Sequence, residues 1–197
     1  MPEAKDNKPF VLGLSGSPVI SSSTELLVRE VLKGAESKGA ETDYVYLNEL
    51  DIMPCQACGQ SPEEEYCFFH DGMDVIYEKF DRCDAIVVGS PLYFDSVSAQ
   101  TKLFIDRCNC FRRLTPDGPE KFVERIEKKR TGAIVLVGGE REKYEHARRV
   151  IGGFYVWANI TSVSMITHAY DGFKKGTVAE NPETLQQAFE SGLKLID

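Results

Sequence analysis

Six of the ten residues in Ser15-Gly16-Ser17-Pro18-Val19-Ile20-Ser21-Ser22-Ser23-Thr24 carry hydroxyls. The stretch follows an apolar run, Phe10-Val11-Leu12-Gly13-Leu14, and precedes a segment of helical period. A helix N-terminus offers unpaired amides and a partial positive charge, and hydroxyls add donors without adding charge. One Ser or Thr would cap the helix; six exceed that need and point to a bound phosphate. No Gly-Lys-Ser/Thr ending follows, so this is not a nucleoside-triphosphate loop. Gly13-Leu14-Ser15-Gly16 lacks the third glycine of a dinucleotide fingerprint. A mononucleotide monophosphate fits.

A second stretch, Ser90-Pro91-Leu92-Tyr93-Phe94-Asp95-Ser96-Val97, sets two aromatics after another apolar run, Ala85 to Gly89. Aromatics held on a post-strand loop can stack on a flat heterocycle. Gly138-Gly139 ends a further run, Ala133 to Val137, and permits close backbone approach to a ligand. A third cluster is Cys55-x2-Cys58-x8-Cys67-x2-His70, whose ligand types suit a Cys3His zinc set, while an unliganded reading leaves reactive thiols in a surface loop. Cys83 reads as core. Cys108 and Cys110, two apart on a helix, point away from each other and make no joint metal site. His146 and His168 read as structural. No side chain stands out as a catalytic acid or base.

The elements that position these groups alternate. Strands are expected at 10–14, 42–47, 85–89, 133–137 and 160–166. Helices are expected at 22–38, 74–82, 98–108, 142–157 and 182–195. Residues 48–71 show no period and form a long loop, of the kind that is usually functional. Five strands each followed by a helix give an α/β doubly wound sheet in one domain over 1–197, with 1–8 flexible. Ligands in this class bind beyond the carboxyl ends of the strands, where the three loops gather. The basic stretch 111–130 forms a solvated face or reaches toward a dinucleotide phosphate, and Lys102 and Arg107 pack at a subunit contact.

The chain has 197 residues and a formal net charge of −8. That acid excess argues against nucleic acid or anionic lipid as the main partner. No run reaches ~18 apolar residues, so no membrane span is expected, and the N-terminus shows no leader. A cytoplasmic location follows, where disulfides are uncommon.

Gly13-Leu-Ser-Gly-Ser-Pro18 with Ser23-Thr24, then Gly89-Ser-Pro-Leu-Tyr-Phe-Asp-Ser-Val-Ser-Ala-Gln-Thr-Lys-Leu-Phe-Ile-Asp-Arg107, resembles the NADPH-dependent FMN reductase family of flavodoxin-like proteins. Pro54-Cys-Gln-Ala-Cys-Gly59 through Cys67 and Asp71-Gly-Met-Asp74 is similar to its iron–sulfur flavoprotein branch. The resemblance implies a flavodoxin-like three-layer sandwich with a five-stranded parallel sheet, bound FMN, NAD(P)H as co-substrate, a small-molecule electron acceptor or a redox protein as partner, and a homodimer or homotetramer. It places Ser15, Ser17, Pro18, Ser22, Ser23 and Thr24 at the FMN phosphate. Pro91, Leu92, Tyr93, Phe94 and Ser96 then lie along the ribityl chain and ring, with Gly138 and Gly139 approaching from the third loop. For an iron–sulfur cluster it offers Cys55, Cys58 and Cys67 as ligands, with Ser61 where the branch has its third cysteine. Val19 stands where the family often carries a basic residue.

Overall fold

The computed structural model describes residues 8–58, 65–114, 122–170 and 174–197. Among these residues eight strands run in chain order: β1 (Phe10–Ser15), β2 (Glu41–Tyr46), β3 (Ala85–Tyr93), β4 (Ser96–Val97), β5 (Arg112–Leu114), β6 (Phe122–Glu124), β7 (Arg130–Gly139) and β8 (Ile160–Tyr170). The helices are α1 (Ser23–Ser37), α2 (Met73–Arg82), α3 (Ala99–Arg107), α4 (Tyr144–Trp157) and α5 (Pro182–Lys194). Five strands form one parallel sheet in the order β2-β1-β3-β7-β8. This is the expected doubly wound, flavodoxin-like arrangement.

Period-2 alternation splits the core in two. Phe10, Leu12 and Leu14 point into the layer with α2, α3 and α4, where Phe80, Phe104, Phe111, Phe154 and Tyr155 pack. Val11, Val87 and Val135 point the other way, onto Leu27, Val28, Val31 of α1 and Ala188 of α5. The central strands are apolar on both sides because both faces are covered. Helix starts follow their caps: Ser22 for α1, Ser98 for α3 and Asn181 for α5 each accept an N–H from their own first turn. Among the described residues no helix is long and apolar enough to cross a membrane.

The largest departures from the sequence-based expectation lie in β3 and in the basic stretch 111–130, where β5 and β6 form a short unexpected hairpin. β3 does not stop at Gly89; it continues to Tyr93 and turns back through β4, pairing Leu92 with Val97 and Tyr93 with Ser96. Phe94 (φ 55°) and Asp95 (φ 61°) make the turn, both left-handed, as a tight two-residue hairpin demands. The basic stretch also differs. Arg130 is buried and donates to Phe80 O (2.9 Å) and Cys83 O (3.1 Å), capping α2, while Lys128 donates to Arg82 O (2.9 Å). Arg125 donates to Glu65 O (2.8 Å). Each of these three cations donates to a carbonyl within the chain; Lys128 also pairs with Asp84 (2.8 Å), and Lys128 and Lys129 stand on the exposed face that the solvated reading expected. Pro116, Pro119 and Lys121 lie outside the described residues.

Arg107 is also a correction. It is no surface residue for a subunit contact: its side chain is 1% exposed. The guanidinium pairs with Asp71 and donates to Met53 O (2.9 Å) and Phe69 O (3.3 Å), so it fastens the 48–71 loop to the end of α3. Lys102 pairs with Asp106 on its own helix (2.6 Å). Burial pushes the Asp71 carboxyl up. The Arg107 hydrogen bond and the amides of Met73 and Met53 (both 2.9 Å) outweigh that and hold it below the ordinary carboxylate value.

A carboxyl with a depressed folded pKa contributes stability that is present above its unfolded value, about 3.9, and is lost as pH falls through the folded one. Asp71→Asn leaves Arg107 buried and unpaired, which costs about 3–5 kcal/mol. Thermal unfolding followed against pH should show the variant less stable at pH 7, with the gap narrowing below about pH 4. A gap that stays constant down to pH 2 would mean that Asp71 does not carry this charge.

Candidate functional site

The loops after β1, β3 and β7 meet at the carboxyl edge of the sheet. The first is tied to the second by Ser98, whose hydroxyl donates to Gly16 O (2.7 Å) and whose N–H donates to Ser90 Oγ (2.9 Å). The second is tied to the third by Asp95, which accepts the Lys143 N–H (2.7 Å).

In the first loop Ser15, Ser17, Ser22, Ser23 and Thr24 are all buried and Pro18 is half-buried. Their hydroxyls are not equivalent. Ser17 Oγ accepts the Val19 N–H (3.2 Å) and shapes the turn. Ser22 Oγ accepts the Glu25 N–H (3.2 Å) as the cap of α1. Ser23 Oγ accepts the Val178 N–H (3.2 Å) and contacts Thr177 Oγ1 (3.3 Å), so it faces the segment before α5. No Lys or Arg lies between 15 and 24. Arg29, in the second turn of α1, is held by Glu25 (2.8 Å) and lies over the Tyr44 ring (3.9 Å). An anion here meets neutral donors and the helix dipole.

In the second loop Tyr93 is half-exposed, Phe94 is fully exposed at the hairpin tip, Pro91 and Ser96 are half-buried, and Leu92 sits in the core beneath them. Burial raises the Tyr93 phenol pKa, followed by the nearby Tyr170 and Glu142. In the third loop Glu142 Oε2 accepts the Gly139 N–H (2.6 Å). A Cβ at Gly138 would meet that carboxylate at 2.8 Å and Leu92 Cβ at 3.2 Å, so the backbone approach uses the glycine. Sequence reasoning missed Glu142 and Tyr46. Among the described residues the buried phenol hydroxyls of Tyr44, Tyr46 and Tyr144 have no partner, and Tyr46 is the one at the carboxyl end of β2. The only sequence signal for it was its place at a strand end.

These residues fit FMN. A buried phenol hydroxyl lacking a partner needs one supplied from outside the fold. The hydroxyl loop at the α1 N-terminus suits a phosphate, and the half-exposed Tyr93 suits a ring. The cysteine loop does not fit a four-thiolate cluster. Cys55 and Cys67 are half-buried and Cys58 is exposed; Ser61 lies outside the described residues. Cys55 Sγ accepts from Ala57 N–H (3.5 Å), and Cys67 Sγ from Arg107 Nη2 (3.5 Å). His70 turns to Asp74 (3.3 Å) and Glu65 (3.7 Å), away from the proposed zinc set. Among the described residues no three Cys, His, Asp or Glu side chains gather closely enough to hold a metal ion. His168, buried, contacts Thr177 Oγ1 (3.0 Å), and His146 is exposed on α4.

Comparison with known proteins agrees with this fold. An iron–sulfur flavoprotein of Methanosarcina thermophila is 30% identical over 189 residues, which cover 95% of this chain and 93% of the relative. An iron–sulfur flavoprotein of Methanocaldococcus jannaschii is 41% identical over 102 residues, covering 52% of this chain and 53% of the relative. The solved NAD(P)H:quinone oxidoreductase of Methanothermobacter marburgensis shares the fold, with a TM-score of 0.67 at 15% identity over 95% of this chain and 99% of that one. The model of the NADPH-dependent FMN reductase family matches residues 9–171, and with the hydroxyl loop, the Tyr93 hairpin and the glycine pair at one sheet edge, the chain belongs to that family of FMN-dependent oxidoreductases.

Proposed function

We propose that this protein takes hydride from NAD(P)H and passes electrons to flavin, quinone or another small acceptor. We place it in the cytoplasm, as a homodimer or homotetramer. The observation that carries the reading is the fixing of three ligand-type loops to one another at the carboxyl edge through Ser98 and Asp95.

FMN, when bound, supplies hydride acceptance and electron release. The chain's own residues bind and orient. Ser17, Thr24 and the free amides of the first turn of α1 would hold the phosphate, and the Tyr46 hydroxyl would find its missing partner. Tyr93 would shield the ring from water, while the wall at Gly138 and Gly139 limits its approach on the β7 side. No side-chain acid or base is needed, because hydride transfer moves no proton at the protein.

A second reading, an iron–sulfur electron carrier exchanging electrons with ferredoxin-type partners, draws on the names of the curated relatives. The serine at 61 weighs against it. The absorption spectrum and the iron and sulfide content of anaerobically purified protein separate the two. Flavin bands alone support the reductase; four irons with matching sulfide support the carrier.

Two substitutions test the flavin site. Ser17→Ala with Thr24→Ala should weaken FMN binding while leaving riboflavin nearly unchanged. Each lost hydrogen bond to a charged group is worth about 1.5–3 kcal/mol, so FMN affinity should fall well over tenfold. Equal losses for both ligands would remove the phosphate from this loop. Tyr93→Ala should weaken flavin affinity and shift the bound-flavin spectrum, because stacking and water exclusion both change. An unchanged spectrum and affinity would place Tyr93 outside the flavin site.

A further inference from the structure

The described parts of the cysteine loop, 48–58 and 65–71, are held by protein groups. Besides the Arg107–Asp71 pair, Arg125 Nη1 lies 3.4 Å from both Tyr66 O and Cys110 O. The segment carrying Cys67 and the short turn Cys108–Phe111 therefore run side by side. The two sulfurs lie at opposite ends of Arg107. Cys67 Sγ accepts from its guanidinium (3.5 Å), and Cys110 Sγ donates to its carbonyl oxygen (3.1 Å) beside the Tyr77 hydroxyl (3.4 Å). Cys108, by contrast, is buried in the core. The two cysteines are two residues apart on this 3-10 turn and so face different surroundings.

We infer that Cys67 and Cys110 form a dithiol redox site that closes to a disulfide between the loop and the end of α3. The two sulfurs have different roles in the hydrogen bonding. Cys67 presents its lone pairs to a cation, as a nucleophile must, and Cys110 holds its proton toward a carbonyl. With hydrogen peroxide as oxidant, the Cys67 sulfur attacks the O–O bond, becomes a sulfenic acid and releases one water. The Cys110 sulfur then displaces the sulfenic oxygen, which leaves with the Cys110 proton as a second water. Two thiols are oxidised to one disulfide, and one peroxide is reduced to two waters. The site does not depend on the flavin reading.

The test uses the full chain, purified without oxygen and then given hydrogen peroxide at one equivalent per chain. Thiols counted after denaturation should fall from six to four, and peptide mapping without reductant should join the Cys67 and Cys110 peptides, reversibly with dithiothreitol. In Cys110→Ser the bridge should vanish and dimedone should label Cys67, while Cys108→Ser should keep the bridge. Unchanged FMN occupancy in both variants would show that they fold. A Cys55–Cys58 bridge, an unbridged Cys67 in the oxidised wild-type chain, or four irons held by these thiols in the anaerobic protein would overturn the proposal.

Discussion

The loops of the site stand where they do because of one hydroxyl. Ser98 donates to Gly16 O (2.7 Å) and accepts the Thr101 N–H (3.2 Å), while its amide donates to Ser90 Oγ (2.9 Å). All of these groups are buried, so each one left unpaired would cost about 1–3 kcal/mol. The link also explains Gly16. A Cβ there would lie 1.8 Å from Thr101 Oγ1, so only glycine lets the first loop lie against the start of α3. The Gly16 N–H donates to Gly89 O (2.8 Å), which continues the β1–β3 ladder into the loop. Helix start, phosphate-type loop and hairpin are thus one rigid unit, not three flexible connections.

The hairpin itself holds strain. Two non-glycine residues in the left-handed region, Phe94 and Asp95, cost of order 1–3 kcal/mol each. Strand pairing through Tyr93 and Ser96, and the Asp95 bond to the Lys143 amide, offset part of this. A fully exposed phenylalanine at the apex gains nothing from burial in the chain. Strain and exposed apolar surface held together on a pinned hairpin are marks of a site selected for contact rather than for stability.

The sheet was legible because each of its five strands is an apolar or alternating run that ends at a polar or glycine-rich loop. The hydroxyl loop was legible from composition alone. The hairpin was not, because Phe94-Asp95 contains none of the glycine or asparagine that normally marks such a turn. Arg107 was misread for a related reason. At the end of a helix an arginine ordinarily complements the helix dipole at the surface, and only the fold brings Asp71 and two carbonyls around it. Cys108 and Cys110 do point apart as their spacing implied, Cys108 into the core and Cys110 to Arg107 O, but the spacing could not show what Cys110 would face. Tyr46 and Glu142 had no local pattern to announce them, since their significance is which strand ends they meet.

The electrostatics of the site follow from the same arrangement. The net charge is −8, and the one charged side chain in the first turn of α1 is Glu25. Its carboxylate is occupied: it accepts the Ser21 N–H (2.8 Å) and pairs with Arg29 (2.8 Å). This is a variant of the capping box, with the carboxylate reaching one residue beyond the cap. The cation that could have faced a phosphate is spent neutralising this acid. An anion at the loop would then be recognised by the directions of amides and hydroxyls, with no opposite full charge to screen. Short-range donors of fixed geometry discriminate by shape and lose little strength to salt, whereas a cation-based site gains range and loses selectivity. In the proposed phosphate site, the valine at 19 and the neutral loop around it would let position do the work that charge does elsewhere.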